Sequence, residues 1–274
     1  MNKIKGYIRK TYFGDLLRHL KLKIESHLPY EDSNLGFLFR GNSAMKNGTF
    51  DQDLLDFLRQ KFPSHNKNFI DVGAHQGYFT CFANANQVQK VFAVEPDNIN
   101  FSFLSKNVAK NKFAARTDCY NIGLGKETGY LDLYGFSTGV SVFENWGGSS
   151  SKRKIRVKIK TFDQQFQDQL PLQDSIVKID VEGFELEVLK GASKAISSAT
   201  NTLFIIEISL PSDISKVDQH VSEMFKFFEN NGYTFSRFVN ESGKPSAMDY
   251  YDLNKTISLL KTFQSINFLF EKQG

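Results

Sequence analysis

The sequence predicts an α/β fold, with a mostly parallel sheet covered by helices on both faces and a helical extension at the N-terminus. Short apolar runs of strand length alternate with segments in which apolar residues recur at helical spacing. Such alternation is typical of parallel strands joined by helices. The 274 residues are 41% hydrophobic, which is enough for a sizeable core. No internal repeat is visible, so a single α/β domain after the extension explains the order.

The elements follow one another from residue 50 onwards. Proline and serine end the first helix after residue 62, Pro96 stops the second strand, Asp97 is a natural N-cap, and Gly232 ends the last helix. Predicted helices cover 50–62, 77–88, 97–111, 161–170, 184–196 and 217–232. Predicted strands cover 68–72, 90–96, 117–124, 174–181, 201–210, 233–239 and 265–272, with 129–136 as an added hairpin strand and 154–163 as another alternating segment.

The N-terminus differs in charge from the rest of the chain. Residues 1–24 contain seven basic residues and one acidic residue, a net charge of +6, so the +4 of the whole chain leaves the remainder at −2. Ile4, Ile8, Tyr12, Leu16 and Leu20 recur at helical spacing. This predicts a basic amphipathic helix that either touches anionic lipid or an acidic partner, or packs on the main domain with its basic face in water. We divide the chain into a helical extension, 1–62, and a main α/β domain, 63–274.

Composition excludes several classes of protein. Two cysteines cannot form a disulfide framework, and no run approaches the roughly 18 apolar residues of a membrane span. The N-terminus lacks the apolar core of a signal peptide, so a cytoplasmic protein is expected, with peripheral contact to the inner membrane face through residues 1–24 as a further expectation. A nucleic-acid partner is not expected, because the body of the chain has no basic surplus.

The stretch "NFIDVGAHQGYFT", residues 68–80, places an acid and two glycines where a strand turns into a helix. Neither G-x-G-x-x-G nor the lysine of a phosphate-binding loop is present. Glu95 follows the second strand, 22 residues after Gly73, where an acid is placed to accept hydrogen bonds from both hydroxyls of a ribose. The ligand should therefore be a nucleoside, and without a phosphate fingerprint S-adenosylmethionine fits better than NAD.

Four segments together carry a family resemblance: "FIDVGAHQGYFT", "VFAVEPD", "VKIDVEGFELEVLKGA" and "FIIEIS". In this order and spacing the sequence resembles the FkbM family of S-adenosylmethionine-dependent methyltransferases, from about Asn68 to Leu210. The resemblance implies a Rossmann-like class I methyltransferase fold, with a seven-stranded, mostly parallel sheet whose last strand is antiparallel. It also implies O-methylation of a sugar, glycan or natural-product hydroxyl.

The resemblance also implies roles for particular residues. Asp71 and Gly73 correspond to the methionine-binding loop, Glu95 to the ribose acid, and Asn121 to the adenine contact. Asp180 and Glu182 lie beside the expected methyl donor, and His75 stands where the family commonly has Asn. The residues predicted to bind the cofactor are Asp71, Gly73, Ala74, His75, Gly77, Tyr78, Thr80, Glu95, Pro96, Asn121 and Asp180.

Four further predictions concern the chemistry and the segments around the site. A sugar hydroxyl has a high pKa, so a base helps to remove its proton, and Asp180 is the first choice, followed by Glu182 and His75. Asp180 and Glu207 end neighbouring strands and could together bind Mg²⁺. Glu185 and Glu187 are expected to form a solvated first helical turn. The Ser- and Gly-rich segment 137–151 is a candidate lid.

Two other function classes stay open at this level. One is an NAD-linked oxidoreductase on a similar sheet, which the missing G-x-G-x-x-G disfavours. The other is a non-enzymatic adaptor at a membrane surface, led by the basic N-terminus.

Overall fold

The computed structural model describes residues 12–135, 140–144, 153–209, 217–238, 245–247 and 265–272. The helices of these residues are, in chain order, α1 (Tyr12–Glu25), α2 (Ser43–Lys46), α3 (Gln52–Lys61), α4 (Tyr78–Ala85), α5 (Asn98–Lys110), α6 (Phe162–Gln165), α7 (Glu185–Lys190), α8 (Ser193–Ser198) and α9 (Val217–Glu229). The strands are β1 (Glu31–Asp32), β2 (Leu38–Phe39), β3 (Asn68–Val72), β4 (Lys90–Val94), β5 (Thr117–Tyr120), β6 (Gly123–Leu124), β7 (Gly129–Tyr134), β8 (Lys154–Lys160), β9 (Gln173–Ile179), β10 (Thr200–Ser209), β11 (Tyr233–Phe238), β12 (Pro245–Ala247) and β13 (Ser265–Lys272).

The main sheet has the order β12-β11-β13-β10-β9-β3-β4-β5. Strands β10, β9, β3, β4 and β5 are parallel, and β13 runs antiparallel to both of its neighbours. This confirms the prediction of a mostly parallel sheet with an antiparallel last strand, and the short edge strand β12 extends it. Strand order reverses between β3 and β9, so a crevice is expected there at the carboxyl ends of the strands.

Apolar side chains cover both faces of this sheet. One face packs against α7, α8 and α9, with buried residues such as Leu189, Ile196 and Phe228. The other face packs against α3 and α4, where Leu54, Leu58 and Phe82 are buried. Burial on both faces explains why apolar residues stand consecutively in β3 (69–70) and β10 (203–206) rather than alternating with polar ones.

A second sheet, with the order β6-β8-β7, stands beside the main one. The prediction of one strand over 117–124 is wrong, because the chain leaves the main sheet after Tyr120 and joins β8 at Gly123. The Asn121 side chain fixes this turn by donating to the backbone oxygens of Glu95 and Pro96, at 2.9 and 3.1 Å. The predicted hairpin strand is confirmed as β7, which pairs with β8 antiparallel.

The predicted helix 184–196 is interrupted, also against expectation. It forms two short helices, α7 and α8, separated at Gly191. A Cβ at Gly191 would lie 2.1 Å from the backbone oxygen of Gly125, so only glycine permits this approach of the two backbones.

The N-terminal segment packs on the main α/β domain and helps to build its core. Phe37 and Phe39 are buried against the Tyr78 ring, with centroid separations of 6.1 and 5.8 Å.

Within the described part of the chain, no helix is both long enough and apolar enough to cross a bilayer. The domain boundary at residue 62 stays a prediction.

Candidate active site

A cleft of about 410 Å³ opens at the carboxyl ends of β3, β4, β9 and β10, where the strand order reverses. This volume lies in the range of small-molecule sites, and the position is the one expected for an open α/β sheet. The sequence-predicted residues that line the cleft are Gly73, Ala74, His75, Tyr78, Glu95, Pro96, Asp180, Glu182 and Glu207.

The loop after β3 forms one wall of the cleft and is held by backbone contacts. The amides of Gly73 and Ala74 both donate to the Val94 oxygen, at 2.9 and 3.0 Å, and tie this loop to the end of β4. Gly73 has a φ of +85°, and a Cβ there would lie 1.8 Å from the Asp180 backbone oxygen. Glycine is therefore required for the loops after β3 and β9 to pass this closely.

Glu95 ends β4 as a buried carboxyl group at the edge of the cleft. Its Oε2 accepts from the His75 amide and its Oε1 from the Asp97 amide, each at 2.8 Å. Burial raises the pKa of Glu95 to about 8, although the two backbone hydrogen bonds oppose the shift. The Asn100 side chain also hydrogen-bonds this carboxyl group, so about one of its roughly four acceptor positions remains for a ligand hydroxyl.

A buried lysine lies at the centre of the opposite wall. Lys178 Nζ is 2.8 Å from Asp180 Oδ2 and sits over the Phe79 ring, 4.7 Å from its centroid. Burial alone would lower the pKa of Lys178, but the carboxylates of Asp180, Asp71 and Glu207 outweigh it and hold the pKa above its ordinary value. Lys178 therefore stays charged and fixes Asp180 at the cleft.

Two further acids share this neighbourhood. The nearby charge of Asp180, reinforced by burial, raises the pKa of Glu207 well above its ordinary range. Asp51, from the N-terminal segment, lies within hydrogen-bonding distance of Asn267, and burial raises its pKa to about 6. Because Lys178 supplies one positive charge to several carboxyl groups, some of them retain their protons at neutral pH.

The predicted magnesium site at Asp180 and Glu207 gains no support. Across the described residues, no group of three or more His, Cys, Asp or Glu side chains is arranged to hold a metal ion. Asp180 instead pairs with the Lys178 ammonium group, which takes the position of the expected cation beside this carboxylate.

His75 and Glu182, the other candidate bases, both line the cleft on strained backbone. Their φ angles are +50° and +54°, in the left-handed region that few residues other than Gly adopt, although His, like Asn and Asp, adopts it more often than Glu does. Burial lowers the pKa of His75 to about 4, so its ring is neutral at pH 7, and neither ring nitrogen has a partner among the described residues. The backbone oxygen of Glu182 accepts from Ser141 Oγ at 2.7 Å.

Four predicted cofactor residues lie outside the cleft lining and support it instead. Asp71 is buried beneath the loop and accepts from Thr80 Oγ1 at 2.6 Å. Gly77 packs on α5, where a Cβ would lie 2.6 Å from Leu104 Cδ1. Asn121 is turned toward the backbone of Glu95 and Pro96, as described above. Direct cofactor contact by these residues stays a prediction.

Sequence reasoning missed Lys178 and the contribution of the N-terminal segment. A signal for Lys178 was present, since a lone lysine in the apolar run "SIVKIDV" has an acid two residues later, on the same side of a strand. Asn42, Met45 and Phe50 carry no comparable signal, because their place at the cleft depends on long-range packing. The second sheet supplies an apolar wall formed by Leu131, Leu133, Val157 and Ile159.

Only part of the predicted lid, 137–151, is described. Val140, Ser141 and Val142 line the cleft, and the Ser141 hydroxyl holds them to the loop that follows β9. Trp146 of this segment lies outside the described residues. Closure of this segment over a ligand stays a prediction.

Glu185 corrects another expectation, because it is fully buried rather than solvated. Its Oε1 accepts from the amides of Gly183 and Val181, at 2.9 and 3.3 Å, and so holds the turn that carries Glu182. Burial raises the pKa of Glu185 to about 8. Glu187 behaves as predicted, with a partly exposed side chain that pairs with Lys190 at 2.9 Å.

We expect Glu185→Ala to reduce the free energy of unfolding by about 1–3 kcal/mol at pH 7, because two buried amides lose their acceptor. Glu185→Gln should reduce the free energy of unfolding less, because its side-chain amide oxygen can still accept from the same two backbone amides. Glu187→Ala is the matched control on the same helix and should change stability by less than about 0.5 kcal/mol. Urea unfolding measures all three, and equal losses for the two alanine variants would contradict the assigned role.

The comparisons with known proteins identify the family. The Methyltransferase FkbM domain matches residues 71–235, which is more than half of the chain. The chain belongs to the FkbM methyltransferase family. The match begins at the buried acid of β3 and ends in β11, so it includes every strand that borders the cleft.

Two curated relatives are also methyltransferases. Hexuronic acid methyltransferase AglP from Haloferax volcanii is 26% identical over 175 residues, which cover 62% of this chain and 70% of AglP. Methyltransferase sdnD from Sordaria araneosa is 28% identical over 162 residues, covering 47% of this chain and 61% of sdnD. A crystal structure of an FkbM methyltransferase from Methylobacillus flagellatus KT is 18% identical with a TM-score of 0.45, covering 76% of this chain and 44% of that one.

Family membership favours a methyltransferase over both the oxidoreductase and the non-enzymatic adaptor considered from sequence.

Proposed function

We propose that this FkbM protein is an S-adenosylmethionine-dependent O-methyltransferase acting on a hydroxyl of a sugar, glycan or natural product. The observation that carries the proposal is the buried Glu95 carboxyl group, which ends β4 at the rim of the cleft beside the Gly73 loop. The hexuronic acid specificity in the name of AglP supports a sugar acceptor, at 26% identity.

The residues present fit a bound nucleoside. Glu95 would accept from a ribose hydroxyl, and the β3 loop at Gly73 and Ala74 would border the amino-acid end. The apolar wall of the second sheet and Phe184 would cover the base and exclude water. When bound, S-adenosylmethionine supplies an electrophilic methyl group.

Asp180 is the proposed general base for the acceptor hydroxyl. Lys178 holds the Asp180 carboxylate at 2.8 Å and keeps the orientation of that group fixed before the acceptor arrives. The raised pKa of Glu207 keeps this second acid protonated, so it can donate a hydrogen bond to another acceptor oxygen. Much of the rate would come from holding the hydroxyl in line with the methyl group.

Calorimetry with S-adenosylhomocysteine and, separately, NAD tests the cofactor. We expect heat and a single site for S-adenosylhomocysteine and none for NAD. The converse result would favour the oxidoreductase alternative, and no heat with either nucleotide would contradict the proposal.

Mass spectrometry tests the acceptor. Glycans and small metabolites from cells with and without the gene should differ by one methyl group on one species. Purified protein with S-adenosylmethionine should restore that mass to the unmethylated species, and failure to do so would contradict O-methylation of that acceptor.

A further inference from the structure

Helix α1 and the turn after it present a row of apolar side chains to solvent. Leu17, Leu20, Ile24 and Leu28 are 45%, 44%, 63% and 41% exposed, and we call these four residues the α1 stripe. The spacing of three and four residues places Leu17, Leu20 and Ile24 along one side of the helix, and Leu28 follows in the turn after it. A surface helix of a globular protein normally turns such a row toward the core.

The helix already has a different face against the protein. Leu22 is 4% exposed, and at about 100° per residue it lies on the order of 160° from the centre of the stripe. The end of the helix is anchored, because Arg40 Nη1 donates to the Ser26 oxygen at 2.7 Å and stacks on the Tyr30 ring at 3.9 Å. Packing of the body therefore holds the stripe outward.

Basic side chains accompany the stripe. Lys21 is 74% exposed, and Lys23 is also exposed. Glu25, at the end of the helix, is mostly buried and pairs with Lys21 at 3.5 Å. By sequence, residues 1–24 carry seven basic residues and one acidic residue. An apolar row with excess positive charge is complementary to a lipid bilayer that has anionic headgroups over an apolar interior.

We propose that the α1 stripe docks the protein onto an anionic lipid surface, with Leu17, Leu20, Ile24 and Leu28 entering the headgroup boundary and the lysines contacting lipid phosphates. This binding mode is that of an interfacial amphipathic helix. It does not depend on the methyl-transfer reaction, since the stripe and the cleft share no residues.

Co-sedimentation of the full chain with vesicles tests the proposal. The protein should bind vesicles of phosphatidylcholine mixed with phosphatidylglycerol, should not bind pure phosphatidylcholine vesicles, and should bind less as salt is raised. Ile24→Glu should weaken binding at least about tenfold, because it places a negative charge in the apolar row. Tyr130→Glu is the matched control, since Tyr130 is similarly exposed, at 66%, but lies in the second sheet.

Several outcomes would overturn the proposal. They are no binding to anionic vesicles, equal binding to both vesicle types, or equal losses for the two glutamate variants. A dimer in light scattering that Ile24→Glu dissociates, without vesicle binding, would instead assign the stripe to a second copy of the chain. Unchanged circular dichroism would show that each variant is folded, and an S-adenosylhomocysteine titration would report on the cleft separately.

Discussion

Glu95→Gln is expected to weaken S-adenosylhomocysteine binding by about ten- to a thousandfold. Hydrogen bonds from ligand hydroxyls to a carboxylate contribute about 1.5–3 kcal/mol each, and the amide offers neither the charge nor the second acceptor oxygen. The amide nitrogen would also face one of the backbone donors, His75 or Asp97, that now hold the carboxylate. Isothermal titration calorimetry measures the loss.

The same residue predicts a pH dependence of binding. The pKa of Glu95 is about 8 in the free protein, and ribose hydroxyls that donate to the carboxylate favour its ionised form. The pKa is therefore lower in the complex, and binding releases a proton below pH 8. Affinity should rise between pH 6.5 and 8 and level off above, by linkage.

Two comparisons separate ribose recognition from loop damage. The rise of affinity with pH should be smaller in Glu95→Gln, and any rise that remains in the variant measures titration of the ligand or of other groups. Wild-type protein should prefer S-adenosylhomocysteine over its 2′-deoxy analogue, and the variant should lose that preference. If Glu95→Gln lowers the affinity for both ligands equally and keeps the pH dependence of the wild type, Glu95 only supports the loop.

The parts of the fold that the sequence predicts well are those set by local pattern. The apolar runs of β3, β9 and β10 are long and bounded by polar turns, so their existence follows from burial on both faces. Glu95 at the end of β4 and Gly73 after β3 are likewise recognisable from the local sequence, and both line the cleft. The direction of β13, by contrast, came from the family resemblance and not from any pattern in the strand itself.

Other features depend on contacts between distant residues. Strand β5 ends where the Asn121 side chain donates to the backbone oxygens of Glu95 and Pro96. The helix between residues 184 and 196 is interrupted at Gly191, where the backbone oxygen of Gly125 approaches closely. By sequence, Glu185 is typical of a solvated first turn of a helix. In the structure, the preceding turn directs the amides of Val181 and Gly183 toward its carboxyl group, and this buried contact has no signal in the local sequence.

The charge balance of the cleft is likewise a property of the assembled sheet. In the register, Asp71 pairs with Lys178, so β3 and β9 place an acidic and a basic residue side by side on neighbouring strands, 107 residues apart in sequence. Glu207 on β10 and Asp51 before α3 then join them. Reading the acids one by one suggested a metal site, whereas the sheet places an ammonium group among them.

Asp180→Asn is expected to reduce kcat by about 10²- to 10⁴-fold, the range of a lost general base, while S-adenosylhomocysteine affinity changes much less. The substitution keeps the backbone oxygen that packs on Gly73 and keeps an oxygen for Lys178 to donate to. Initial rates of methyl transfer to the acceptor found by mass spectrometry measure the loss. Weaker cofactor binding with an unchanged kcat would instead assign Asp180 to the cofactor site.

The pH profile and two control variants make this assignment specific. The charge of Asp180 is the largest cause of the raised pKa of Glu207, so Asp180→Asn should let Glu207 ionise near neutral pH and pair with Lys178. Any residual activity should then follow a shifted pH profile. Asn tolerates the left-handed backbone at position 75, where φ is +50°, so the His75→Asn variant should remain folded and active. The Glu182→Gln variant should also remain folded and active. A loss in either control equal to that of Asp180→Asn would move the base to that residue, because all three side chains line the same cleft.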